Sequence, residues 1–253
     1  MPTINRVRVA NIKYDHNKKQ MPNLTFNLNN QDTVFFLSNG GGKSLLVQLI
    51  LQTILPNKKM GKRRIADLFA SANYTGHVAV EWSLDAGGEA DQFLCTGFCF
   101  QEGRGSQRLD YYNYLIDYTE EDEFSIADLP LIKDQDLFQK RQPIKYQELR
   151  DWLQEQENHR VEVFDKNYVY QNRLRQFRIL PAEWESIARI NAAEGGVDDF
   201  FARSKTTNQL LNNLLIPQIK EVLFAADDED ELFAAFSRSE ERRVGKECTL
   251  RCR

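Results

Sequence analysis

Hydrophobic and polar positions alternate from the start of the chain. Ile4, Arg6, Arg8 and Ala10 fall on one side of an extended backbone, and Asn5, Val7, Val9 and Asn11 on the other, the period of a strand with one buried face. A polar loop follows from Lys13 to Asn23, then a second alternating strand, Leu24 to Leu28, and a turn over Asn29 to Asp32. Thr33 to Leu37 is β-branched and aromatic and reads as a third strand. The period then changes: Leu45, Leu46, Leu49, Ile50 and Leu51 are spaced for a helix from Lys43 to about Leu55, which Pro56 stops. Gly76 to Leu84, with Val78, Val80 and Trp82 on one face, and Gln92 to Gln101 flank a Gly-rich turn and predict a long hairpin.

Further along, Tyr111 to Tyr114 suits a strand, and Ile126 to Leu131 and Tyr146 to Glu157 carry helix signals. Asn167 to Gln176 and Pro181 to Asn191 are also helical; Pro181 fits a first turn, and Glu183 and Glu185 lie near the positive end of that helix dipole. Gly195 and Gly196 break the pattern before an amphipathic segment, Thr207 to Leu215, and an acidic helical stretch, Ile219 to Phe236. The tyrosine cluster has two uses open to it, base stacking and sheet packing, of which packing is the commoner. Cys95 and Cys99 share a strand face with no His or further Cys nearby, so they read as core residues and not as metal ligands.

Chemistry enters where the third strand meets the first helix. Asn39, Gly40, Gly41, Gly42, Lys43 and Ser44 have the spacing of a phosphate-binding loop. Three glycines let backbone N–H groups close around phosphates, Lys43 reaches the β and γ oxygens, and the Ser44 hydroxyl ligates Mg²⁺. The full pattern places glycine where this chain has Leu37. The plain alternative is a glycine-rich turn between a strand and a helix. Just downstream, Lys58, Lys59, Lys62, Arg63 and Arg64 form a basic cluster, either a solvated loop or a contact for nucleotide phosphate or a DNA backbone.

Composition narrows the class. With 253 residues, 42% hydrophobic and 28% charged, the chain can form one large domain or two small ones. No apolar run approaches the roughly 18 residues of a membrane span, and the N-terminus has no continuous apolar core of the signal-peptide kind. The cysteines then read as reduced thiols of a cytoplasmic protein. Residues 238–253 resemble, codon for codon, the translation of a sequencing adapter and are expected to be non-native. They hold six basic and three acidic residues, so the rest of the chain carries −7 instead of −4.

The order of strand, loop, strand, turn and strand, then Asn39-Gly40-Gly41-Gly42-Lys43-Ser44, Lys62-Arg63-Arg64-Ile65-Ala66-Asp67-Leu68-Phe69 and a hairpin, resembles the N-terminal half-head of SMC-like ATPases, the chromosome-segregation and SbcC-type repair group within the ABC class. The resemblance implies an α/β P-loop NTPase half-head over residues 1–220, with a mixed sheet, a β-hairpin and flanking helices. It implies a coiled coil beginning at 221–237 and binding of ATP and Mg²⁺. Glu194 stands where the family's glutamine loop carries glutamine. The implied partners are a C-terminal half-head carrying the Walker B and signature motifs, a second head in a head-to-head homodimer, and DNA, in a nucleoid-associated setting. Hydrolysis is expected of the completed protein and not of this chain alone. Two other classes remain: a self-contained P-loop kinase or GTPase, for which Val161 to Asp165 is the only Walker B candidate, and a non-catalytic adaptor with a degenerate loop.

Overall fold

The computed structural model describes residues 2–15, 17–36, 38, 40–59, 65, 74–84, 91–103, 109–122, 124–135, 140–156, 160–192, 206–212 and 216. The chain divides into two units, 1–197 and 198–253. The first is built on a six-stranded sheet of β1 (Thr3–Tyr14), β2 (Lys19–Asn27), β3 (Thr75–Leu84), β4 (Gln92–Glu102), β5 (Leu109–Thr119) and β8 (Arg160–Phe164), in the order β2-β1-β3-β4-β5-β8. Every pairing in it is antiparallel, so the sheet is not the mixed one expected. The reason is local: each strand except β8 follows its neighbour through a hairpin or closes back on β1, and no parallel crossover is made among the described strands. A separate two-stranded ribbon pairs β6 (Ile132–Gln135) with β7 (Lys140–Pro143).

β1 breaks the two-residue period twice. Its register against β3 shifts between Ile4 and Arg6, a bulge at Asn5 that turns Ile4 to the same core as Val7. At Asn11 the backbone is left-handed, φ 53°, and the Asn11 amide donates to the Thr75 carbonyl at 2.7 Å. Ile12 and Tyr14 thereby join the face of Val7 and Val9. The expected polar loop is a hairpin: Ile12 pairs with Met21 and Tyr14 with Lys19, leaving a four-residue turn. Pro22 is tolerated because β2 is an edge strand, where a missing donor breaks no inner ladder. The expected third strand is not formed: among the described residues, Asp32 to Phe36 have no strand pairing, and Val34 and Phe36 are 76% and 94% exposed. β propensity describes a fit to a paired strand, and here Phe35 packs its ring against Phe26 of β2 without ladder pairing.

Both faces of the central strands are covered. On one, Val78, Val80, Trp82 and Phe98 pack against α1 (Lys43–Gln52), α3 (Asn167–Gln176) and α4 (Pro181–Ala192). On the other, Ala79, Cys95, Cys99, Tyr112 and Tyr114 meet α2 (Tyr146–Gln154) and a 3₁₀ turn at Ile126–Asp128. Tyr112 and Tyr114 are fully buried, pack the sheet and are closed to bases, while Tyr111 is half-buried on the other face. Cys95 and Cys99 are free buried thiols, as expected of core residues. The helix signal at Ile126 to Leu131 yields only the 3₁₀ turn, because Leu129 precedes Pro130 and leaves the helical region at ψ 127°.

His77 lies on the second face, wholly buried, with Nε2 donating to the Ile144 carbonyl at 3.2 Å and Nδ1 lacking a partner. Burial above all, with the Arg8 charge and against the Ile144 bond, pulls its pKa down to about 4. The unfolded chain takes up this proton first, near pH 6.5, so the stability it confers is complete above that value and is lost as pH falls toward 4. We expect roughly 3 kcal/mol of acid destabilisation from this group. Urea denaturation at pH 7, 5.5 and 4.5 should show the wild-type loss and a flatter profile for His77→Gln; parallel profiles would remove His77 as its source.

In the second unit the structure describes residues 206–212 and 216. A short helix, α5 (Thr207–Leu210), is capped by Thr206, whose hydroxyl accepts from the Gln209 N–H at 3.3 Å. The rest of the amphipathic segment expected to reach Leu215 falls largely outside the described residues, as do the boundary at 220 and the 221–237 stretch. No helix among the described residues is long and apolar enough to cross a membrane.

Candidate functional site

The glycine stretch turns directly into α1. Gly40 and Gly42 have φ of 75° and 91°, which glycine alone adopts without strain. Gly42 is the N-cap, and its carbonyl accepts the Leu46 N–H at 2.8 Å. The cap has no side-chain acceptor, and the first turn has no acidic residue. An α-helix leaves its first N–H groups without acceptors inside the helix and carries positive dipole charge there, so an end with no internal anion suits an external one. Gly41 N–H donates to the Ser38 carbonyl at 2.9 Å, closing the turn. Lys43 and Ser44 are exposed, and Leu45, Leu46 and Leu49 anchor the helix in the core.

One wall of the loop comes from the β1–β2 hairpin. A Cβ on Gly42 would lie 2.7 Å from Met21 Cε and 3.4 Å from the Tyr14 ring; one on Gly40 would lie 3.0 Å from Lys19 Nζ. The backbone angle requires glycine at both positions, while the close approaches are to the ends of the flexible Met21 and Lys19 side chains, which can shift. Lys19 Nζ donates to the Gly40 carbonyl at 2.9 Å. This wall is not legible in the sequence, where Lys19 lies in an apparent loop 21 residues from Gly40.

The other end of α1 is held from the opposite side. Tyr170 donates to the Thr53 carbonyl, Asn113 Nδ2 to the Gln52 carbonyl at 3.4 Å, and Asn167 Nδ2 to the Pro56 carbonyl at 3.4 Å. These satisfy carbonyls at and just beyond the C-terminus of a helix that would otherwise lack partners. The loop helix is thus fixed by β5 and α3 behind it and by the hairpin in front.

Of the predicted site residues, the structure brings Gly40, Gly41, Gly42, Lys43 and Ser44 together at one helix start. Asn39, Arg63, Arg64 and Glu194 lie outside the described residues, as does Leu37. Of the basic cluster, Lys58 pairs with Glu185 of α4. Asp165, the Walker B candidate, follows β8 and is held by Arg150 through two 2.8 Å bonds, which keep its carboxyl below the usual carboxylate range. β8 is the edge strand opposite β2, and Asp165 after it is exposed and paired with Arg150 at the surface.

The fold and loop together define a mixed α/β protein with a six-stranded antiparallel sheet and a glycine-rich helix start. No protein-family model matches the sequence, and a search of curated proteins returns no match.

Proposed function

We propose that the chain is the ATP-binding N-terminal half-head of an SMC-like ATPase. The observation that carries this reading is Gly40-Gly41-Gly42-Lys43-Ser44 wrapped around the uncapped start of α1, with two glycines in left-handed backbone. On this reading the loop and helix N–H groups cradle the phosphates, Lys43 neutralises the terminal ones, and Ser44 offers its hydroxyl to Mg²⁺. A Mg²⁺ ion held there through Ser44 would supply charge neutralisation to the phosphates. The exposed Val34 and Phe36, in a stretch with strand propensity and no partner strand among the described residues, support a missing second half that adds strands beside the loop. Hydrolysis, head-to-head dimerisation and DNA engagement belong to that completed assembly. The kinase or GTPase reading is weakened by Asp165, whose carboxylate is engaged by Arg150.

The test is nucleotide binding by the 253-residue chain. Mg·ATP should bind without measurable turnover, and Lys43→Ala should weaken binding about 10- to 100-fold, the loss of a charge-assisted phosphate contact. Calorimetric titration of the two proteins decides: equal affinity would leave the loop a plain turn and favour the adaptor.

A further inference from the structure

We infer that Lys19 is a positioning residue of the phosphate loop, an inference that rests on the reading above. A loop that binds anions through its N–H groups must keep its carbonyl oxygens turned away from the anion, and each turned carbonyl needs a donor of its own. Gly40 meets both needs. Its left-handed backbone, φ 75°, rotates the peptide, and its carbonyl accepts from the Lys19 ammonium at 2.9 Å. Lys19 is placed for this by its pairing with Tyr14 across the hairpin, on the face where Tyr14 and Met21 crowd Gly42. Among the described residues it also meets the Asp15 carboxylate at 3.6 Å, so it is steered from within the hairpin and not by the loop alone. Lys19 thus fixes the carbonyl direction of the loop before any ligand arrives, and preorganisation of this kind raises affinity without a direct ligand contact.

The full chain is compared as wild type, Lys19→Met, Lys19→Arg and Lys43→Ala. Mg·ATP and inorganic pyrophosphate are the titrants, and amide exchange over Gly41 to Leu46 is followed without ligand. Lys19→Met should weaken both titrants about three- to tenfold, the scale of one charge-assisted bond at a partly exposed site. Its loop amides should exchange faster, its melting midpoint should stay within about 2 °C of wild type, and Lys19→Arg should recover affinity to within about twofold. Lys19→Met that binds as wild type, or whose loop amides are unchanged, overturns the role of Lys19 while a weakened Lys43→Ala keeps the phosphate loop. A wild-type chain indifferent to Mg·ATP, or Lys43→Ala binding equally well, removes the phosphate-loop reading and Lys19's role with it.

Discussion

Glu81→Ala should lose about 3 to 5 kcal/mol of unfolding free energy, the range found when one partner of a buried ion pair is removed. Glu81 is fully buried in β3, and its two oxygens serve four neighbours. Arg6 approaches in a fork, Nε at 2.6 Å and Nη2 at 3.0 Å; Asn5 Nδ2 donates at 2.7 Å, Tyr118 donates its hydroxyl, and the Ile126 N–H donates at 3.3 Å. Burial works against the Arg6 charge, but the bonds and attraction of Glu81 outweigh it and hold the guanidinium above its ordinary pKa. Truncation strands all of these donors at once. Glu81→Gln should recover little, since one half of the amide must present N–H groups to donors. Guanidinium denaturation should show a lower midpoint with an unchanged slope; a loss below about 1 kcal/mol would mean that water replaces the carboxylate.

Gly97→Ala is expected to cost about 3 to 5 kcal/mol, above the usual ~1–3 kcal/mol of overpacking. Gly97 faces Tyr114 across the β4–β5 ladder, and the ring lies where a side chain would be: an added Cβ would sit 1.9 Å from Tyr114 Cζ. Tyr114 is wholly buried on the second face and has no free space to swing into without disturbing that core. A methyl group at Gly97 must therefore displace the ring or bend two inner strands. Tyr114→Ala in the same background should relieve part of the loss, and a double-mutant cycle read by thermal unfolding measures that coupling. Additive effects would show that the clash is absorbed elsewhere.

Elements with unbroken period were legible in the sequence, and those set by tertiary contact were not. β3 and β4 follow the alternation of Val78, Val80 and Trp82 almost to the residue. The alternation of β1 predicts a plain strand, but Asn5 and Asn11 each disturb the phase, and nothing in two asparagines announces that. The second half of β2, Leu24 to Asn27, was legible, but its first half was not, because Lys19, Gln20, Pro22 and Asn23 have little strand propensity and are held by pairing to β1 at an edge. Thr33 to Phe36 erred in the other direction, with strand residues but no partner strand. At the candidate site, Gly40 to Ser44 stood out because their chemistry is local in sequence. Tyr14, Lys19 and Met21 did not, because only the hairpin brings them to the loop.

The pairing of Val9 with Val78 has a consequence for how the loop comes into being. Between these two positions lies a closed stretch of roughly 70 residues that contains Gly40 to Ser44 and all of α1. Closing it costs about 4 kcal/mol of chain entropy before the β1–β3 ladder returns any of it. α1, a helix of 10 residues, is too short to persist alone and depends on packing against β3 and its neighbours, while the hairpin wall of the loop arrives only with the β1–β3 ladder. The glycine loop therefore has its full set of contacts only once that ladder has closed. A phosphate ligand cannot guide the early steps of folding, and its effect should fall on the rate of unfolding, by holding shut a stretch of chain that was slow to close.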